Sequence, residues 1–490
     1  MASAGIKEKN ITLSKFRTIN TYSDIFKLNQ DELAFAVNVT FNEYGKIIQR
    51  AGTVKVGTLP TKAYIFKWNE IREGSVNEKL IAIAGNSLYI YNDTTQAFDL
   101  ITSTLVTGSV WGGVGRVNKF IFANGSKIYK LYNNGTNYVV EDISSIANIP
   151  KGTLFSIFQN RIVNAGDGTE NVYFSEISNP EVWDANYFIA MSGKVTAIAT
   201  VADFLFIGTD RGLYKVSLTG DATVPFKVDL LVSTGVMPNS IVEFKASSVC
   251  ALLNDKRIIV FSPYIQNGDQ IEDRVGVPIK NLLPNDVSKF KSFFRDEIDN
   301  KIFITDDTYT FVLSPHTLGF TLYKEASQIE GKYCFDLISA CNYKNVRYYS
   351  DSNGNIYKFD KTIFQDDGQD FEVYFDTPVF GGDTQEIWKN WRVLYLVTDS
   401  ITNTKINIYR AVNVTSAMRP VGTDTIIVSE SRLGLARLGS CLLGGAYSQR
   451  SKIRIDVATN GLQLRIEKEK GNTDFQLSDL QITLFVGYRR

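Results

Sequence analysis

Residues that carry most enzyme chemistry are scarce in this sequence. Its 490 residues include one histidine, His316, so a Ser-His-Asp triad would have to use it and a zinc site with two or three histidines cannot be built. The four cysteines, Cys250, Cys334, Cys341 and Cys441, contain no C-x-x-C pair. We expect neither a zinc centre nor a dense disulfide framework, and we interpret the thiols as small buried groups in a reducing compartment.

Acidic clusters are the remaining candidates for catalysis, because glycoside hydrolysis needs two carboxyl groups across a sugar. Carboxylates are grouped at Asp306 and Asp307 and within 366–370. The segment 351–355 begins like a calcium loop, but Ile356 stands at its sixth position and no glutamate follows at its twelfth. We interpret these segments as solvated turns. We predict that the chain is not an enzyme and has no catalytic residue, no cofactor and no metal site.

The glycine-rich segment WGGVGRV, residues 111–117, lacks the Lys-Ser/Thr of a phosphate loop. We interpret it as a turn that leads into a strand. The net charge is also balanced, since 52 Lys and Arg cancel 52 Asp and Glu. No overall positive field would therefore attract nucleic acid or an anionic membrane. The polar amino terminus and the absence of 18 consecutive apolar residues predict a soluble chain without a cleaved signal or membrane insertion.

A hairpin unit recurs along the first three quarters of the chain. Each copy is an apolar run, a polar turn and a second apolar run, as in residues 120–132 around the turn Asn124-Gly125, and Asn-Gly is a strong hairpin signal. Seven such units are 40 to 50 residues apart when aligned on Tyr89, Tyr129, Tyr173, Tyr214, Ile259, Tyr309 and Tyr357.

This period of about 40 to 50 residues, built from short strands, is typical of β-propeller blades. We predict an all-β fold: a β-propeller of about seven blades over 46–370, followed by a smaller C-terminal β-sandwich-like domain over 371–490. The N-terminal segment 1–45 contains the run DELAFAVNVTF, 31–41, which could close the ring. An irregular set of hairpins in a β-sandwich is the alternative.

Three segments each carry a more specific pattern of their own. The residues are Gln159, Asn160, Arg161, Tyr173, Phe174, Ser175 and Trp183 in the first, Gly208, Thr209 and Gly212 in the second, and Lys389, Trp391 and Arg392 in the third. The first two segments resemble successive propeller blades of the tail hub or nozzle proteins of short-tailed bacteriophages. The third is similar to the strand that opens the domain after the propeller in those proteins.

The resemblance implies a structural virion protein of a bacteriophage tail. Members of that family form a ring, usually of six copies, below the portal and adaptor, and genome DNA passes through the common channel without sequence-specific binding. The partners would be further copies of the chain and neighbouring tail proteins, and the chain would be made in the bacterial host cytoplasm.

Two other classes of function stay open. One is a carbohydrate-binding or carbohydrate-cleaving propeller used in host adsorption. The other is an intracellular scaffold, although the repeat signatures of the familiar eukaryotic propellers are missing from the sequence.

Overall fold

The structure is built almost wholly from β-strands. It is a computed structural model that describes residues 7–72, 74–177, 179–220, 225–244, 248–262, 275–286, 289–381, 388–399, 403–412, 417–426 and 449–486. Contacts divide the chain into two units: unit 1 comprises 1–53, 308–335 and 360–490, and unit 2 comprises 54–307 and 336–359. Within the described residues, no helix is both long and apolar enough to cross a membrane.

The first seven strands come from the N-terminal segment and the residues just after it. They are β1 (Lys7–Leu13), β2 (Thr18–Ile19), β3 (Glu32–Leu33), β4 (Phe35–Val37), β5 (Val39–Phe41), β6 (Ile47–Gln49) and β7 (Gly52–Thr58).

Blades 1 to 4 of unit 2 are four-stranded sheets in which each strand pairs with the next along the chain. Blade 1 is β8 (Ala63–Arg72), β9 (Ser75–Ala84), β10 (Ser87–Asn92) and β11 (Ala97–Thr102). Blade 2 is β12 (Gly112–Arg116), β13 (Lys119–Ala123), β14 (Ile128–Asn133) and β15 (Tyr138–Asp142). Blade 3 is β16 (Leu154–Phe158), β17 (Arg161–Ala165), β18 (Asn171–Ser175) and β19 (Trp183–Ala190). Blade 4 is β20 (Val195–Val201), β21 (Phe204–Thr209), β22 (Leu213–Leu218) and β23 (Phe226–Val232).

The later blades contribute fewer consecutive strands to unit 2. The described strands of blade 5 are β24 (Val236–Phe244), β25 (Ser248–Leu253) and β26 (Ile258–Phe261), and a 3-10 turn follows at Val277–Ile279. Blade 6 supplies β27 (Phe290–Asp296) and β28 (Lys301–Asp306), and unit 1 takes the next two strands, β29 (Thr310–Leu313) and β30 (Phe320–Tyr323). Blade 7 is β31 (Ser339–Tyr343), β32 (Val346–Ser350) and β33 (Asn355–Asp360), with β7 at its edge.

The innermost strands of these blades form a closed ring. Each contacts the next in the order β8, β12, β16, β20, β24, β27 and β31, and β31 contacts β8. Radial sheets that share their faces in this way define a β-propeller, so the prediction of an all-β chain with a propeller of about seven blades is confirmed.

The strand that completes the seventh blade is β7, not the run 31–41. That run forms β3, β4 and β5, and β4 is paired on both edges, with β30 and β34, in unit 1. A strand whose backbone groups are already paired on both sides cannot close another sheet. β7 is buried at Gly52 and Thr53 and partly exposed from Val54 to Thr58, as is typical of an outer strand with one face toward solvent.

Unit 1 contains the two-stranded sheet β2-β3 and strands of two larger sheets, and it forms the β-sandwich-like domain. Its C-terminal strands are β34 (Val373–Asp376), β35 (Lys389–Thr398), β36 (Thr404–Val412), β37 (Arg419–Ile426), β38 (Gln449–Thr459), β39 (Leu462–Lys468) and β40 (Gln476–Val486). One sheet has the order β38-β35-β40-β6-β5, with β1 on β40, and the other runs β29-β30-β4-β34-β39-β36-β37. Strands from 1–53 and 308–335 therefore complete both sheets, so this unit is not continuous in sequence.

Candidate functional site

The first group of predicted site residues builds a hairpin and its supports in blade 3. Gln159 and Asn160 join β16 to β17 and have φ of 48° and 61°, as a two-residue hairpin turn with two left-handed positions requires. Arg161 donates to the Ser175 carbonyl at 2.8 Å and lies 4.6 Å from the Tyr187 ring centroid. The Ser175 hydroxyl accepts the backbone N–H of Ile162 at 2.9 Å. These residues hold the blade together.

The aromatic members of the same group pack within blade 3 and against the neighbouring blades. Phe174 stacks on Phe226 of blade 4, with ring centroids 4.6 Å apart, and Tyr173 packs on Phe188 at 6.1 Å. Trp183 is buried with apolar residues of blade 2. Aromatic pairs in such contacts contribute about 0.5–1.5 kcal/mol beyond the area that they bury.

The loop that precedes Trp183 joins blade 3 to blade 2 through ion pairs and a hydrogen bond. Glu181 accepts from Lys119 at 2.5 Å and from Lys130 at 3.1 Å. Burial raises the pKa of the Glu181 carboxyl, but the two ammonium groups outweigh burial, and the net pKa lies below its usual range. Arg116 of blade 2 also donates to the Ile177 carbonyl at 2.5 Å.

Replacing Glu181 with glutamine is expected to destabilise unit 2 by about 1–3 kcal/mol at pH 7, the range for hydrogen bonds to charged groups. A carboxyl whose pKa is lower in the folded state stabilises that state above its unfolded pKa, and this stabilisation is lost as the pH falls through the folded pKa. Urea unfolding should therefore show a larger difference from the unchanged protein at pH 7 than at pH 3. Glu297→Gln, whose partner Lys67 is 3.8 Å away at the surface, is the control and should cost at most about 0.5 kcal/mol. An equal loss for Glu181→Gln at both pH values would contradict the charge explanation.

Gly208 and Thr209 end β21, and Gly212 ends the turn that leads to β22. The Thr209 hydroxyl accepts the backbone N–H of Gly212 at 3.0 Å. A Cβ on Gly208 would lie 2.8 Å from Val236 of blade 5, so glycine lets the two blades approach closely.

Lys389, Trp391 and Arg392 lie on β35 in unit 1. The Lys389 ammonium donates to the Gly381 carbonyl at 2.9 Å, and the buried Trp391 indole donates to the Thr459 carbonyl at 3.3 Å. Arg392 pairs with Asp456 at 3.4 Å at the surface. The three resembling segments thus fall at three separate places, and their side chains form turns, blade contacts and sheet contacts.

Each of the seven junctions between neighbouring blades of unit 2 contains a hydrogen bond or an ion pair that joins the two blades, which we call a polar tie. These are Tyr138 to Glu70 (2.9 Å), Lys119 to Glu181 (2.5 Å), Ser156 to Thr200 (2.8 Å), Thr196 to the Val236 carbonyl (2.8 Å), Arg295 to Glu243, Arg347 to Asp296 (3.1 Å) and Tyr343 to Asp93 (2.8 Å). Burial and then the Glu70 acceptor raise the pKa of Tyr138 to about 12, so this hydroxyl stays a donor at neutral pH.

A cavity of ≈ 550 Å³ lies at the centre of the propeller. Residues on or next to each of the seven innermost strands line it, mostly near the N-terminal ends of those strands. The residues of most chemical interest are Lys62, Tyr64, Trp111, Phe155, Phe290 and Lys291.

The two lysines of this cavity differ in their surroundings. Lys291 pairs with Asp307 at 3.3 Å and Asp336 at 3.4 Å; burial lowers its pKa, but the two carboxylates outweigh burial and the net pKa is raised. Lys62 lies over the Tyr64 ring at 5.0 Å, and among the described residues no carboxylate pairs with it.

The cavity was not predicted from the sequence. Its residues come from positions 62 to 340, and they meet only because the ring closes. The available signal was the aromatic at the start of several innermost strands, but such residues are also typical of buried blade cores.

The other candidate groups have structural roles or lie at the surface. Asp366 is buried in an ion pair with Arg50, and Asp351 accepts the backbone N–H groups of Asn353 and Asn355, as in a turn. His316 is exposed. Across the part of the chain that the structure describes, no cluster of three His, Cys, Asp or Glu residues suits a metal ion.

The cysteines that the structure describes, Cys250, Cys334 and Cys341, are buried. Burial raises the pKa of the Cys250 and Cys341 thiols. Cys441 lies outside the described residues.

Comparisons with known proteins find structural similarity at low identity. No protein-family model matches the chain, and no curated protein matches it. Solved structures with similarity include the AfRom2 CNH domain (9% identity, TM-score 0.40, 63% of this chain and 99% of that one) and virginiamycin B lyase from Staphylococcus aureus (11%, 0.43, 63% and 98%). The Neurospora crassa Pan2 WD40 domain is similar over 64% of this chain and 94% of its own (10%, 0.38). At these scores, the strand order and ring closure described above carry the fold assignment.

Proposed function

We propose that this chain is a structural component of a short-tailed bacteriophage tail, where several copies form a ring around the DNA channel below the portal and adaptor. The observation that carries the proposal is where the resembling residues of blades 3 and 4 lie. They build turns and contacts between blades. The residues that resemble the tail family are therefore residues that keep the propeller rigid.

Rigidity is supported by the seven junctions of unit 2. Each has its own polar tie, and shared apolar clusters fill the junctions of blades 1 to 5 and of blade 7 with blade 1. Close-packed interiors have low compressibility and transmit strain. A closed ring of this kind suits a wall that carries load.

An exposed apolar strip offers a surface for assembly. It consists of Ile71, Val76, Val117, Ile177 and Val182, which are 40–63% exposed. Backbone contacts make it continuous across blades 1 to 3: Ile71 pairs with Val76, and its N–H donates to the Val117 carbonyl at 3.0 Å. The Arg116 bond to Ile177 extends the strip to blade 3. Contiguous exposed apolar patches mark interaction sites.

The double variant Val117→Asp/Ile177→Asp is expected to abolish ring assembly, because burying two unpaired carboxylates in an interface costs several kcal/mol. Electron microscopy and sedimentation with the neighbouring portal and adaptor proteins would measure assembly. The melting temperature should not fall by more than about 2 °C, because both side chains are exposed and aspartate adopts the left-handed φ of 54° at position 117 more readily than valine does. Leu100→Asp, at an exposed position on the outer strand of blade 1, is the matched control and should still assemble.

Monomers of the unchanged chain, both alone and with those partners, would overturn the proposed function. If the double variant still formed rings, the apolar strip would not be part of the assembly interface. A copy number other than six would correct the ring size only.

A further inference from the structure

The central cavity of the propeller has the size and the wall of a small-molecule site. Ligand pockets usually have volumes of about 300–1,000 Å³ and combine apolar walls with a few polar groups that orient the ligand. This cavity falls within that range. Tyr64, Phe155 and Phe290 are partly exposed along it, so their rings leave apolar surface for a ligand to cover.

Two of the lining residues carry hydrogen-bond donors that have no partner in the described part of the chain. Trp111 is 4% exposed, and its indole N–H has no partner among the described residues. Lys62 adds a cation without a carboxylate partner in the described part of the chain.

Short polar groups line the cavity together with the aromatic rings. Thr153, Asn239 and Ser292 line the cavity, and Asn239 is exposed at a left-handed φ of 52° within an irregularity of β24. Hydroxyl and amide groups on the same wall as apolar rings suit a molecule that has apolar faces and many hydroxyls.

From this arrangement we infer that the cavity binds an acidic saccharide, a pyranose that carries a carboxylate. The aromatic rings cover the apolar face of the sugar ring, the short polar groups meet its hydroxyls, and Lys62 pairs with the carboxylate. Lys291 contributes less, because Asp307 and Asp336 already neutralise it. This inference does not depend on the proposed tail function, because a ring component and a monomer have the same propeller cavity.

Titration calorimetry with the full chain tests the inference with a matched pair of disaccharides. Digalacturonate and galactobiose differ chiefly in the carboxylates. We expect digalacturonate to bind with a Kd below about 1 mM and galactobiose to bind at least tenfold more weakly. Lys62→Gln should weaken digalacturonate binding about tenfold and leave galactobiose unchanged, and Lys62→Arg should restore most of the loss.

Two further measurements keep the test decisive. Lys227→Gln, at an exposed lysine on the outer strand of blade 4, should bind like the unchanged chain. Digalacturonate should change the tryptophan fluorescence of the unchanged chain, and Trp111→Phe should lose that change. Equal binding of both disaccharides, no binding of either, or tighter binding of adenosine monophosphate or benzoate would overturn the inference.

Discussion

Replacing Arg50 with methionine is expected to destabilise unit 1 by about 3–5 kcal/mol, the cost of leaving one member of a buried ion pair uncompensated. Arg50 is fully buried and makes a bidentate pair with Asp366, at 2.9 and 2.5 Å. Its guanidinium also donates to the carbonyls of Ala51 and Lys324 and to the Asn38 side chain. It lies 3.7 Å from the Phe371 ring centroid, so the substitution removes a cation–π contact as well.

This loss in the free energy of unfolding can be measured by urea unfolding, followed with a spectroscopic signal from unit 1. The matched control is Arg392→Met, because Arg392 is in the same unit and forms an ion pair in which both side chains are about half exposed; it should cost at most about 1 kcal/mol. Because Arg50 and Asp366 act as a pair, the double variant Arg50→Met/Asp366→Leu should lose less than the sum of the single variants. A loss below about 1 kcal/mol for Arg50→Met would contradict the assigned role.

Truncating Trp68 to alanine should cost unit 2 about 3–5 kcal/mol, as for other large aromatic side chains in cores. Trp68 is fully buried between blades 1 and 2, 6.4 Å from the Phe120 ring centroid and 6.2 Å from that of Tyr138. It packs directly on the backbone of β12, since a Cβ on Gly115 would lie 2.2 Å from its Cδ1 atom.

This geometry makes a second, coupled result testable. Gly115→Ala should destabilise the unchanged chain by about 1–3 kcal/mol through overpacking, and by much less when Trp68 is already alanine. Gly422→Ala is the control, because a Cβ there meets nothing within 4 Å. Additive losses in the Trp68 and Gly115 cycle would show that the two positions do not share the contact.

The repeat was readable from the sequence because a hairpin is local. Alternating apolar residues and turn residues such as Gly85 and Gly125 specify each hairpin within about a dozen residues, and both glycines have the positive φ of such turns, 60° and 88°. The spacing of the units then indicates blades. Pairings over long sequence distance were not readable: β7 joins β33 and β4 joins β34, each across about 300 residues or more.

For the candidate site too, local features could be predicted from the sequence and long-range contacts could not. The residues of the resemblance could be named from the sequence, whereas their roles as turns and blade contacts required coordinates. The cavity could not be anticipated, because Lys62, Trp111 and Phe290 are far apart in the chain and each has an ordinary local pattern.

The sequence alone determined that this protein is built from repeated β-hairpins and has a single histidine, because strand alternation, turn residues and composition are properties of short segments. Only the tertiary structure decided which strand closes the ring, which charges become buried pairs and which side chains face the central cavity. Those outcomes depend on many weak contacts between distant segments, and such contacts form together only when the ring and the sheets are complete.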